Sequence, residues 1–276
     1  MAQRKKKTKK SKPRYSAKTA DKHELYQLSV QDPESEIQFV TRVFQKLNGK
    51  KPMSIREDFC GTAFLCGEWI KSHKDRTASG IDFDQATLDW GTEHNLKAID
   101  EPGSRIKLYS QDVRKKVPGK FDVGVGMNFS YWTFRNRPDM LAYFKCSRST
   151  IKPGGIFVLD AYGGYESIQP MEEPRRITGG ATYVWDQDSF NPIDNSVVNH
   201  IHFEFRDGTK MRKAFTYEWR FWSLLEIQEL LAEAGFKKST VYWEDADDDG
   251  EGTGVFRPRK KVENEAAWVA YIVAEN

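Results

Sequence analysis

The stretch Met53–Trp90, MSIREDFCGTAFLCGEWIKSHKDRTASGIDFDQATLDW, decides the fold. Its pattern predicts a short strand over Met53–Glu57, a small-residue turn at Cys60–Ala63, a helix over Phe64–His73 and a second strand over Thr77–Asp82. This is a βαβ unit. The turn after the first strand of such a unit lies at the carboxyl edge of a parallel sheet, beside a helix N-terminus. An acid closing the second strand points into the same crevice and can accept two hydrogen bonds from a ribose diol.

Outward from this unit, Asp84 is a predicted N-cap, and Ala86, Leu88, Trp90 and Leu96 mark a second crossover helix. A third strand, Ile106–Tyr109, runs into Ser110-Gln111-Asp112-Val113. A fourth, Phe121–Val125, ends in Gly126-Met127-Asn128-Phe129-Ser130-Tyr131-Trp132. Arg137-Pro138-Asp139 opens a helix. The turn Ile151-Lys152-Pro153-Gly154-Gly155 then leads into a fifth strand, Ile156–Asp160.

These residues resemble the class I S-adenosylmethionine-dependent methyltransferases. Glu57 stands at the first acidic position, Phe59, Gly61 and Ala63 at the three places of a GxGxG turn, and Asp82 at the ribose acid. Two of the three glycines are replaced. A nicotinamide-binding Rossmann protein is the rival, but it wants G-x-G-x-x-G, which this turn does not supply. The resemblance implies an α/β fold, a seven-stranded doubly wound Rossmann-like sheet with a β-rich insertion after strand five. It implies S-adenosylmethionine as cofactor, held by Glu57, Phe59, Gly61, Ala63, Asp82 and Phe83. By the same analogy Asp112 and Val113 reach the adenine, and Asn128 completes the site after strand four.

Between Tyr162 and Arg220 the alternation switches to period two. Ala181–Asp186, Asn199–Arg206 and Lys213–Arg220 read as strands, with Asp207-Gly208 as a hairpin turn. The expected insertion, residues 162–222, caps the active site. Trp132, Tyr162, Trp185 and Tyr217 are candidate acceptor-binding aromatics, able to stack a planar group or hold a cationic amine, although an insertion of this size also needs aromatics for its own core. Arg220 either binds a substrate carboxylate or ties the insertion to the sheet.

Tyr131, His200 and His202 are the candidate acid–base groups. Both histidines alternate with Ile201 and Phe203 and so share one side of a strand. With no carboxylate at ligand spacing along the chain, no metal is expected. Ser223 with Glu226 forms a capping box for a helix over Leu224–Ala234. Gly235-Phe236, a sixth strand (Lys238–Trp243), an acidic hairpin connection (Glu244–Gly254) and a seventh strand (Trp268–Ala274) complete the pattern.

Ahead of the sheet, Lys22–Leu47 reads as helix broken at Asp32-Pro33, and the resemblance places its first part near the cofactor. Between Met1 and Lys18 there are nine Lys or Arg and no acid, against a net charge of +3 for all 276 residues, so the body is acidic. Residues 1–20 are expected to be a disordered basic tail, and 21–276 the catalytic domain. The tail could make weak nucleic-acid contact, serve as a nuclear signal in a eukaryote, or act as a solvated extension. No run of apolar residues is long enough for a membrane span. Cys60, Cys66 and Cys146 form no metal or disulfide pattern, which agrees with a cytoplasmic setting.

The function expected is methyl transfer to a nitrogen or oxygen of a small molecule by in-line displacement. The alternatives are an RNA or protein methyltransferase tethered by the basic tail, and a non-catalytic protein with the same fold.

Overall fold

A computed structural model of the chain describes residues 15–99, 102–247 and 252–276. The first fourteen residues of the predicted basic tail lie outside the described residues. Residues 15–20 do not fit the expectation of disorder: Tyr15 is buried against Ile177 in the insertion core, and the Ala17 amide donates to Thr209 Oγ1 at 2.9 Å.

Two helices lead. α1 (Lys22–Ser29) is capped by the Asp21 carboxylate, and α2 (Pro33–Asn48) starts at the Asp32 cap with Pro33 in its first turn. Proline fits there because its missing N–H would have no intrahelical partner. α2 stops at Gly49, whose φ of 69° is the left-handed conformation that glycine adopts without strain. The βαβ unit follows: β1 (Ser54–Asp58), α3 (Phe64–Lys71) and β2 (Thr77–Asp82). After α4 (Gln85–Gly91) and the short α5 (Pro102–Arg105) come β3 (Ile106–Ser110), β4 (Phe121–Gly126), α6 (Arg137–Thr150) and β5 (Ile151–Gly163).

The insertion supplies β6 (Met171–Arg176), β7 (Thr182–Asn191), β8 (Ser196–Glu204) and β9 (Lys210–Arg220). The chain then returns through α7 (Leu224–Glu233), β10 (Lys238–Ala246), β11 (Gly252–Pro258) and β12 (Trp268–Glu275).

The main sheet runs β11-β10-β12-β5-β4-β1-β2-β3. β3, β2, β1, β4 and β5 are mutually parallel, and β12 enters antiparallel between β5 and β10. Seven of these strands are those expected from the sequence. β11 is an eighth, a hairpin added on the edge through the acidic connection.

Alternation along the strands builds two cores. Phe157 and Leu159 face α6 and α7 with Met140, Tyr143, Phe144, Ile227 and Leu231, while Ile156 and Val158 face α2 and α3 with Phe39, Val43, Leu65 and Trp69. The insertion is a separate antiparallel sheet in the order β6-β7-β8-β9. Among the described residues no helix is long and apolar enough to cross a membrane.

Candidate active site

The order reversal between β1 and β4 opens a crevice at the strand carboxyl ends, the place where doubly wound sheets take ligands. The turn leaving β1 is left-handed at all three expected glycine places: Phe59 (φ 58°), Gly61 (φ 52°) and Ala63 (φ 52°). The Phe59 ring leans into the core against Tyr143 (centroids 5.5 Å) and Phe134 (5.9 Å) and leaves the turn open. Gly91 of α4 lets that helix touch the turn, since a Cβ there would sit 2.2 Å from the Thr62 carbonyl oxygen.

Asp82 closes β2 and braces the turn. Its Oδ2 accepts from the Gly61 amide and its Oδ1 from the Asp84 amide, each at 2.9 Å. Burial raises its pKa against those hydrogen bonds. Phe83 beside it is 79% exposed. Glu57 accepts from the Cys66 amide in the first turn of α3 at 3.0 Å, and burial pushes its carboxyl up to about 7.

After β4 the chain makes a second left-handed turn, with Asn128 and Phe129 both at φ 57°. Asp160 of β5 holds it: Oδ2 accepts from the Asn128 amide (2.7 Å) and Oδ1 from the Phe129 amide (2.9 Å). Burial lifts Asp160 to about 7. Glu36 of α2 is pushed well up, first by burial and then by the nearby charges of Asp160 and Glu57. Three carboxyls thus stand behind the crevice with little cationic compensation.

The crevice has a volume of about 710 Å³ and is lined by the β1 turn, Asp82, Phe83, Asp84 and Asn128, by Lys22, His23, Tyr26 and Gln31, and by β9. α1 is fastened directly to the turn, because Gln27 Nε2 donates to Thr62 Oγ1 at 2.8 Å. A second cavity of about 380 Å³ shares Tyr26, Asn128, Tyr217 and Trp219 with the first. Its remaining wall carries Tyr162, Tyr183, Trp185 and Trp268 together with Glu166, Glu173 and Glu244.

No protein-family model matches the sequence, and no curated protein matches it. Solved structures do. A methyltransferase dependent on S-adenosylmethionine from Clostridium acetobutylicum is 20% identical, with a TM-score of 0.63 over 92% of this chain and 96% of that one. An amino pentose methyltransferase from Micromonospora echinaspora is 14% identical, with a TM-score of 0.64 over 92% and 95%. A sugar N-methyltransferase from Streptoalloteichus is 15% identical, with a TM-score of 0.62 over 100% and 98%. The chain has the class I methyltransferase fold.

In this methyltransferase fold the residues present suit S-adenosylmethionine. Asp82 keeps a free lone pair on each oxygen for a diol, and the exposed Phe83 ring offers an apolar face to a base. Gln31 Oε1, buried at the crevice wall, has no hydrogen-bond partner among the described residues. The carboxyls behind the crevice suit a ligand with two positive groups.

Several expected residues stand elsewhere. Asp112 is engaged by Arg114 (2.6 Å), whose hydrogen bonds hold its carboxyl below the usual range; Arg114 also binds Asp139, and Asp112 lines neither cavity. The Val113 side chain is in the core, and its carbonyl accepts from Arg56 Nη2 at 2.8 Å. Tyr131 is fully buried and donates to the Asp160 carbonyl oxygen at 2.8 Å, so it is a brace and not an acid–base group.

Trp132 is also fully buried, stacked on Tyr162 at 4.7 Å, and supports the cavity wall from behind. Arg220 pairs with Glu226 (2.7 Å) and lies over the Trp222 ring (3.8 Å), which ties the insertion to α7. His200 and His202 lie outside both cavities, because the residues that face inward on β7 and β8 are Tyr183, Trp185, Gln187 and Ile201, of opposite parity.

The structure adds groups that sequence patterning did not single out. Asp160 is a lone acid in an otherwise apolar strand, which is its one sequence signal. Gln31, Glu166 and Glu173 carry none. Arg56 and Asp58 form a fully buried ion pair (2.7 Å) on β1, extended by Thr150, Ser147 and the Val113 carbonyl.

Proposed function

We infer that the protein is an S-adenosylmethionine-dependent methyltransferase whose acceptor is a nitrogen of a small cationic amine. The observation that carries this is the meeting of the two cavities at Tyr26, Asn128, Tyr217 and Trp219: one holds the diol-binding acid, the other is walled by aromatic rings and glutamates. Aromatic faces attract an ammonium by about 0.5–2 kcal/mol per contact, and the glutamates favour the same charge. The amino pentose and sugar N-methyltransferases among the structural neighbours support an amine acceptor.

The cofactor supplies a methyl already made electrophilic by its sulfonium, so the chain's task is alignment. Tyr26 and Asn128 stand where the two cavities join and fix the approach. A protonated amine has no lone pair, so before methyl transfer it must give a proton to a wall carboxylate, from which the proton passes to solvent. In this reading Glu166, Glu173 and Glu244 replace the tyrosine and histidines expected from sequence.

Cofactor carrying a labelled methyl, incubated with a panel of small primary and secondary amines and their hydroxyl counterparts, tests it. Label is expected in small-molecule amine products. Label confined to RNA or protein, or transferred only to hydroxyls, refutes the assignment.

A further inference from the structure

We propose that Asp186, Asp188 and His200 form a binding site for a first-row divalent transition-metal ion on the face of the insertion sheet turned away from the smaller cavity. One ligand atom from each lies within 4.8 Å of the other two. The chain sets this up locally. Asp186 is directly opposite His200 across the β7–β8 ladder. Asp188 is the extra residue of a bulge, since Gln187 pairs with Asn199 and Ser189 with Val198. A bulge re-aims a side chain, and here it brings the second carboxylate to the same imidazole.

The state of the imidazoles separates this triad from its neighbour. His200 is 3% exposed, and its Nε2 has no hydrogen-bond partner among the described residues. Its Nδ1 lies 2.9 Å from Thr216 Oγ1. With the proton on Nδ1 and given to that hydroxyl, Nε2 keeps a bare, buried lone pair on a ring that has a nitrogen within 4.8 Å of both carboxylates, the arrangement of a metal-ligating histidine whose far nitrogen is anchored.

His202 is the reverse case. Its Nδ1 accepts from the Lys213 amide (2.8 Å), so the proton sits on Nε2 and is donated to Asp186 Oδ2 (3.0 Å). It orients a ligand and is not one. The overlapping group of Glu172, Asp186 and His202 therefore lacks a free nitrogen, and its Glu172 already pairs with Arg212 at 3.1 Å.

Charge agrees. Two carboxylates around a neutral imidazole balance a divalent ion, while Lys213 is the cation whose field reaches His200. One nitrogen and two carboxylate oxygens suit zinc, manganese or cobalt better than calcium, which prefers oxygen alone. The ion would lock the β7 bulge to β8. Trp185 and Gln187 alternate with the two ligands on β7 and line the smaller cavity, so the ion would fix that wall. The consequence for the wall rests on the proposed function; the site does not.

The test uses untagged full-length protein, stripped with chelator and titrated with zinc, manganese and cobalt by calorimetry, with cobalt absorption and thermal unfolding in parallel. One ion per chain and a higher unfolding temperature are expected for at least one metal. Asp188→Asn and His200→Gln should each weaken binding at least tenfold with unchanged circular dichroism, and Glu172→Gln should bind as the parent does. If His200→Gln does not fold, the exposed Asp188 carries the comparison. Absence of stoichiometric binding, parental affinity in Asp188→Asn, or loss in Glu172→Gln overturns the proposal, as does binding that cofactor addition abolishes.

Discussion

Asp82→Asn and Asp82→Ala probe the crevice most directly. The parent carboxylate caps two backbone amides, Gly61 and Asp84, each at 2.9 Å, and has one further lone pair per oxygen for a ribose diol. In Asp82→Asn one oxygen becomes a donor, so one of those amides faces an N–H. A fully buried orphan costs about 1–3 kcal/mol of stability, and these half-buried and exposed amides cost less. On the ligand side the amide can still pair with both hydroxyls, but the charge is gone. Losing one charge-assisted bond at about 1.5–3 kcal/mol weakens S-adenosylmethionine roughly 10- to 150-fold. Asp82→Ala removes both, for a loss of about 3–6 kcal/mol, at least 100-fold. Calorimetry measures the affinities, and urea unfolding shows whether enough protein is folded at the assay temperature. A 2′,3′-dideoxy analogue of the cofactor separates turn collapse from lost diol contacts: it should bind the parent weakly and lose little more in either variant. If the analogue loses as much affinity as the natural compound, Asp82 acts through the turn alone. Parental affinity in a folded Asp82→Ala would refute the ribose role outright.

The buried pair on β1 should behave as buried pairs do: Asp58→Ala leaves the Arg56 guanidinium uncompensated and is expected to cost about 3–5 kcal/mol in urea unfolding, while Arg56→Met with Asp58→Leu costs much less than the sum of the singles. Equal and additive losses would show that the pair is not coupled. Stability should also fall as pH rises. Glu57 and Asp160 have folded pKa values of about 7, above the unfolded range, so each contributes fully below about pH 4 and loses that contribution progressively as pH rises from there through 7, by about 3–4 kcal/mol per group. The urea midpoint is expected to drop between pH 5 and pH 8 and to drop less in Glu57→Gln; a midpoint that climbs over that window contradicts the burial argument.

What the sequence made legible was whatever depends on side-chain pattern. β2 over Thr77–Asp82 and the Asp32, Asp84 and Ser223 caps were readable because burial period and capping chemistry are local. β6 was not. Its sequence MEEPRR has no alternation and contains a proline, and it is an edge strand whose only strand partner is β7. β11 is an edge strand for the same reason. The histidines show a different limit. Period two correctly puts His200 and His202 on one face, but it cannot say which face looks at the crevice, and it says nothing of carboxylates arriving from the adjacent strand. Trp132 and Tyr131 likewise have the residue types of a cavity wall and the burial of a core.

The β1 turn loses two of the three motif glycines and keeps the backbone that they would give. A glycine-rich turn is a requirement on backbone angles, and glycine is the cheapest residue that meets it. Here the angles persist at Phe59 and Ala63 although each non-glycine residue in the left-handed region costs about 1–2 kcal/mol. Both substitutes recover part of that cost by burial: the Phe59 ring joins Phe134 and Tyr143, and the Ala63 methyl sits in the α3 core. The Gly61 amide between them is pinned to Asp82, so the strain cannot relax without breaking the contact that shapes the crevice. At this turn the residue types depart from the GxGxG pattern while the backbone angles keep it.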